Sequence, residues 1–141
     1  GEVRGAEAAD MVQAMNTGHE GSMATLHANS AADAVRRLEA MLATAWPGLS
    51  MATLRGWWST ALDVVVHCER GRDGHRAITA VVVVERRSDG DPELMPLFER
   101  TGGGRGGRLQ SCGGAPTSCL ERMARHGVVF PLRLLRGDRA A

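Results

Sequence analysis

Helical spacing of apolar residues governs the first sixty positions, with one alternating stretch set between helices. Ala8, Met11, Val12 and Met15 recur at helical spacing while Asp10 and Gln13 fall opposite. This predicts an amphipathic helix over Ala6 to Asn16, stopped by Thr17-Gly18. From Ser22 to Ala28 the pattern alternates: Ala24, Leu26 and Ala28 share one face and Met23, Thr25 and His27 the other, as in a strand. Asn29 or Ser30 can cap the next helix, whose stripe is Ala34, Leu38, Met41, Leu42 and Ala45, with Asp33, Arg36 and Glu39 facing away. Pro47 ends that helix, because the residue before a proline is pushed out of helical geometry. A third helix is expected from Ser50 to about Ala61, carrying Met51, Leu54, Trp58 and Leu62 inward.

Beyond it the period shortens. Asp63 to Glu69 and Arg76 to Arg86 are β-branched runs joined by the polar turn Gly71-Arg72-Asp73-Gly74, a hairpin signal. After Ser88-Asp89-Gly90-Asp91, a third run from Glu93 to Glu99 extends the sheet as a meander. Arg100 to Gly114 holds Gly102-Gly103-Gly104 and Gly106-Gly107 with few apolar residues, and reads as a flexible loop. A short helix around Pro116 to His126 and an apolar tail, Val128-Val129-Phe130, close the chain. The order α-β-α-α-β-β-β is that of an α/β core followed by an antiparallel annex. It divides the chain into a core with its annex over 1–99, a glycine-rich loop over 100–114, and a helix with its tail over 115–141.

Composition narrows the classes. At 141 residues, 43% hydrophobic and 23% charged, the chain has the size and balance of one globular domain. A formal charge of +1 with scattered arginines makes no basic stripe, so nucleic acid is not an expected partner. No apolar run approaches the ~20 residues of a membrane span, and no direct insertion is expected. Cys68, Cys112 and Cys119 are odd in number and widely spaced, which argues against a disulfide framework and for a reducing compartment. Residue 1 is Gly, and Gly1-Glu2 lacks the apolar stretch that normally brings a strand up to such a carboxylate, so the sequence reads as a truncated chain.

Three residues near the start carry candidate chemistry. Glu2 sits where a preceding strand would end, and ligands of open α/β sheets bind beyond the carboxyl ends of strands. A carboxylate there can polarise an attacking water or hold a magnesium-bound water; the plain alternative is a surface glutamate. His27 closes its strand just before a helix start, where an imidazole can donate to a phosphate, or can be a satisfied structural group. His19 lies just past a helix end and can equally be a cap or a ligand contact. Zinc binding by the two histidines lacks further ligands nearby. All 17 basic residues are arginine, so the stretch Gly102 to Gly107 cannot be a phosphate loop, which needs a lysine followed by Ser or Thr. In Trp57-Trp58 only one ring can face a core, and an exposed Trp57 would hint at a subunit contact.

Gly1-Glu2-Val3-Arg4-Gly5, Thr17-Gly18-His19-Glu20-Gly21-Ser22, Thr25-Leu26-His27-Ala28-Asn29-Ser30 and the helix Ala32-Asp33-Ala34-Val35-Arg36-Arg37-Leu38-Glu39 together resemble the carboxyl-terminal half of the type II/IV secretion and pilus-assembly ATPases. Within that superfamily the likeness is to the CpaF branch, which drives Tad (Flp) pili. It covers Gly1 to Val84, and more loosely Pro116 to Gly127. The resemblance implies the carboxyl-terminal half of a P-loop (RecA-like) NTPase core with an antiparallel β annex and a C-terminal helix. It gives Glu2 the role of the Walker B carboxylate, catalytic or holding Mg2+ through water. Thr17 to Asn29 corresponds to a histidine box in which His27 is the reporter of the terminal phosphate and His19 its support. Arg4 then lies at the nucleotide edge or subunit boundary, and Thr25 and Asn29 beside the nucleotide. The implied cofactors are ATP and Mg2+ in an intact parent. The implied partners are five further copies in a homo-hexamer and the platform proteins of the inner membrane, to which the enzyme is peripheral on the cytoplasmic side. Because the Walker A loop is missing, this polypeptide alone is expected to be inert; the alternative is a non-catalytic remnant that binds ring subunits.

Overall fold

The computed structural model describes residues 1–19, 21–87, 90–103 and 106–135. Glu20 of the motif at Thr17 to Ser22, Ser88-Asp89 of the expected turn, Gly104-Arg105 and the last residues, 136–141, lie outside the described residues. Among the described residues the fold has four helices, α1 (Glu7–Asn16), α2 (Ala31–Ala45), α3 (Met51–Ala61) and α4 (Thr117–Arg125), and four strands, β1 (Val64–Arg70), β2 (Arg76–Arg86), β3 (Pro92–Thr101) and β4 (Arg108–Ser111), with a 3-10 turn at Leu132–Leu134. The chain forms two compact units, one of residues 1–63 with 86–93, the other of 64–85 with 94–141.

In the first unit α1, α2 and α3 pack on one another. Helix α1 buries Ala8, Ala9 and Val12. Helix α2 starts at Ser30, whose Oγ accepts from the Asp33 amide at 3.0 Å, and buries Ala31, Val35, Leu38 and Leu42. Capping at this point satisfies one of the helix's open amides, which is what a serine before a periodic apolar run does. Ser50 repeats the arrangement for α3, accepting from Thr53 at 3.1 Å. Leu54 is fully buried and Trp58 is 2% exposed, whereas Met51, expected inward, is exposed. Trp57 faces outward, its ring 4.9 Å from that of Trp46 in an edge-to-face pair.

Glu39 does not simply face away from the helix packing. Its carboxylate accepts from the Trp58 indole Nε1 at 3.1 Å and from Arg55 Nε at 3.0 Å. A large buried indole carries a polar N–H that needs an acceptor, and Glu39 meets that need between α2 and α3.

The expected strand over Ser22 to Ala28 is reduced to one parallel bridge between Glu2 and Thr25. Its backbone bonds are Val3 N–H to the Thr25 carbonyl at 2.8 Å and Thr25 N–H to the Gly1 carbonyl at 3.1 Å. The partner segment then turns away, because Ala8 N–H bonds the Gly5 carbonyl at 3.0 Å and begins α1.

In the second unit the strands form one sheet in the order β1-β2-β3-β4, with β1 antiparallel to β2 and β3 antiparallel to β4. Val82, Val83 and Val84 are all buried, and Val83 with Leu97 and Leu135 forms a core joined by Met95, Phe98, Cys119 and Phe130. Strand β4 falls inside the glycine-rich stretch that reads as a loop. Phe98 to Thr101 pair with Ser111 to Arg108, and the glycines serve the turn between them. Gly102 has φ +77°, a conformation that other residues rarely adopt, and a Cβ on Gly107 would sit 2.5 Å from the Gly102 carbonyl oxygen, so a side chain at 107 would force the strands apart.

Candidate functional site

Neighbouring residues of an extended chain point to opposite sides. Val3 is buried at 8% exposure, so Glu2 and Arg4, one residue to either side, point outward together. The parallel bridge sets Glu2 against Thr25, and His27 lies two residues beyond Thr25, on the same outward side. Glu2, Arg4, Thr25 and His27 therefore share one face by construction. Leu26 and Ala28 keep the half-buried side, as the alternation of that stretch implies.

The side chains meet. Arg4 Nε donates to Glu2 Oε1 and Arg4 Nη2 to Glu2 Oε2, both at 2.7 Å. This is the two-pronged guanidinium–carboxylate arrangement that fixes both groups in a plane. His27 Nε2 lies 3.0 Å from Glu2 Oε1. The two hydrogen bonds from Arg4 are the largest influence on Glu2 and hold its carboxyl below its ordinary range; partial desolvation works the other way, and the charges of Arg4 and His27 add to the lowering. Arg4 is in turn pushed further towards its charged form, first by the same hydrogen bonds. Glu2 retains 30% of its side-chain exposure, against 74% for Arg4 and 81% for His27. The two donors are open to a ligand from solution.

Glu7, which sequence reasoning passed over, completes the frame. Its Oε1 accepts from the Arg4 backbone amide at 2.8 Å, and that bond is the main reason its own carboxyl is held low. It ties the Arg4 segment to the first turn of α1. The signal was the spacing of Arg4 and Glu7, three residues apart across a helix start.

The other candidates stand on neighbouring structure. His19 Nδ1 is 3.0 Å from the Ala14 carbonyl oxygen at the end of α1, the capping alternative, while Ser22 Oγ donates to the His19 carbonyl at 2.7 Å. Asn29 is turned to the α2 start: its backbone N–H and its Nδ2 reach Asp33 Oδ2 at 3.0 and 3.4 Å. Thr25 takes part through its backbone. Among the described residues no three His, Cys, Asp or Glu side chains gather as a metal-holding group. Of the three side chains that meet, Glu2 is the carboxylate that could hold a magnesium ion through bound water. Arg4 and His27 fit the other half of a magnesium triphosphate, since both present N–H donors suited to phosphate oxygens.

Residues 1–67, which hold the whole cluster and all three helices of the first unit, match the family described as type II/IV secretion system protein. This part of the chain is similar to that family. A Mycobacterium tuberculosis protein assigned by name to conjugal transfer is 38% identical over 98 residues, 70% of this chain and 27% of the relative. The conjugal transfer protein TrbB of Rhizobium radiobacter is 38% identical over 85 residues, 60% of this chain and 25% of the relative. The type IV secretion system protein PtlH of Bordetella pertussis is 40% identical over 94 residues, 64% of this chain and 27% of the relative. Among solved structures, the VirB11 ATPase of the Brucella suis type IV secretion system, in complex with sulphate, superposes with a TM-score of 0.54 at 35% identity, over 58% of this chain and 26% of that one. The chain thus spans about a quarter of the length of the curated relatives it matches. Its α/β character with an antiparallel sheet is similar to that VirB11 structure.

Proposed function

We propose that this chain is a segment of a secretion motor ATPase, with Glu2, Arg4 and His27 facing the terminal phosphate of ATP. The observation that carries the reading is the approach of His27 Nε2 to within 3.0 Å of Glu2 Oε1, with Arg4 on the same carboxylate. The similarity of residues 1–67 to the secretion system family supports it. Bound Mg-ATP would supply the polyphosphate charge and the phosphorus centre. The chain's own residues would do the rest by exchange of partners. Arg4 and His27 donate to phosphate oxygens in place of carboxylate oxygens, and Glu2, released from Arg4, holds or deprotonates the attacking water. In this reading His19 supports His27 from the end of α1, and Thr25 and Asn29 border the nucleotide. The core would be the carboxyl-terminal half of a P-loop fold. The working assembly would be a homo-hexameric ring against platform proteins at the cytoplasmic face of the inner membrane, converting hydrolysis into secretion or pilus assembly. The narrower CpaF, Tad-pilus branch rests on the motif set, while the relatives with conjugal transfer and type IV secretion names favour a neighbouring branch.

A second reading is a non-catalytic module that binds ring subunits. The coding sequence upstream of Gly1 separates the two. On the first reading it continues in frame through a lysine-bearing phosphate loop, and the protein so encoded hydrolyses ATP. A frame without such a loop, together with capture of a ring ATPase by residues 1–141, would favour the module. In either case calorimetry should register no tight ATP binding by residues 1–141 alone, and tight binding would contradict both.

A further inference from the structure

The run Val128–Leu134 concentrates exposed apolar side chains in a short stretch of the second unit. Val128 is 52% exposed, Val129 91%, Leu132 47% and Leu134 48%, four apolar side chains shown to solvent within seven residues. The backbone that carries them is nonetheless fixed. Val128 N–H bonds the Met123 carbonyl at 2.9 Å and Gly127 N–H the Ala124 carbonyl at 3.0 Å, closing α4 through a left-handed glycine at φ +73°. Leu134 and Leu135 N–H bond the Pro131 and Leu132 carbonyls at 2.9 and 3.0 Å. Phe130 and Leu135 pack into the core around Val83 and Leu97, and Ser111 Oγ donates to the Leu135 carbonyl. Two inward anchors hold the loop while its other apolar residues project outward, so the exposure is a feature of an ordered segment.

The charge around it is biased. Residues 115–135 hold Arg122, Arg125 and Arg133 against Glu121, while the whole chain carries a formal charge of only +1. Arg125 and Arg133 are exposed on either side of the projecting valines. Protruding aliphatic side chains flanked by arginines suit the headgroup region of an anionic bilayer. There the tips enter the acyl boundary and guanidinium groups meet lipid phosphates, without any requirement for a complementary pocket.

We propose that the α4 end and the Val128–Leu134 loop form a surface that rests on anionic lipid. The contact is a shallow one, since no helix among the described residues is long and apolar enough to cross a membrane. It is independent of the nucleotide reading. The test is co-sedimentation of the 141-residue chain with vesicles of phosphatidylcholine, and of phosphatidylcholine mixed with phosphatidylglycerol. The chain should bind the mixed vesicles in preference, and less so as salt is raised. The double variant Val128→Ser, Val129→Ser should lower partitioning by about tenfold. Arg125→Gln and Arg133→Gln should each lower it by about fivefold on mixed vesicles alone. Val129→Leu, with an unchanged circular dichroism spectrum, should bind as the parent does. Failure to bind mixed vesicles, or undiminished binding by the double serine variant, overturns the proposal. So does a lipid-independent dimer in sedimentation equilibrium that the same double variant abolishes, because the loop would then be a protein interface.

Discussion

Glu2 is the residue on which the Arg4 and His27 side chains converge, and its environment has a consequence in acid. Its carboxyl is held low chiefly by the Arg4 hydrogen bonds. A group whose folded value lies below its unfolded value stabilises the fold above the unfolded value, and loses that contribution as pH falls through the folded one. The Glu2–Arg4–His27 cluster should therefore be intact at neutral pH and through mild acid, and come apart only below the ordinary glutamate value of 4.5. Titration of the Glu2 side-chain carboxyl carbon by NMR should show a midpoint below 4.5 that rises in Arg4→Gln. A midpoint at or above 4.5 in the parent chain would mean that the pairing does not persist in solution. The convergence was legible in the sequence only as a wager. Alternation said that Thr25 and His27 share a face, but nothing in one sequence says which residue of the first segment lies opposite Thr25, and that register decides whether His27 reaches Glu2 at all.

At the scale of elements, helices were legible to within a residue because their signals are local. Ser30 and Ser50 cap where a serine precedes a periodic run, and the chain leaves α2 just ahead of Pro47. Elements that depend on distant partners were less so. The stretch Ser22 to Ala28 has strand alternation yet among the described residues pairs only at the Glu2–Thr25 bridge, while β4 lacks apolar content yet pairs because the turn at Gly102 and Gly107 brings it back along β3. Glu39 was missed for the same reason: helical periodicity marks it as outward, and only the packing of α2 on α3 reveals Trp58 as its partner. Glu39→Ala leaves a buried indole N–H and the Arg55 guanidinium without their acceptor. It should cost about 1–3 kcal/mol in urea unfolding, with Glu39→Gln costing less because its amide oxygen can still accept. Equal stability of the alanine variant and the parent would show that the bond contributes nothing net.

For the whole molecule, the chain consists of two compact units with different degrees of legibility. The first holds the site, and the family match over residues 1–67 covers its continuous part. The sheet of the second was legible as a meander from β-branched runs and polar turns, though its fourth strand was not. What motif spacing offered was Glu2 and His27 as candidates for the chemistry. What it did not convey was the framework that presents them, in which Val3 is buried, Glu7 ties Arg4 to α1 and Ser30 starts α2 just beyond His27. The measurement that bears most directly on the functional reading is steady-state ATP hydrolysis by the protein encoded when the frame is extended upstream, compared with its Glu2→Gln variant. If the carboxylate serves the attacking water, the variant should fold and bind nucleotide normally while turnover falls by at least about 100-fold. Turnover at the parent rate by the Glu2→Gln protein would contradict the account.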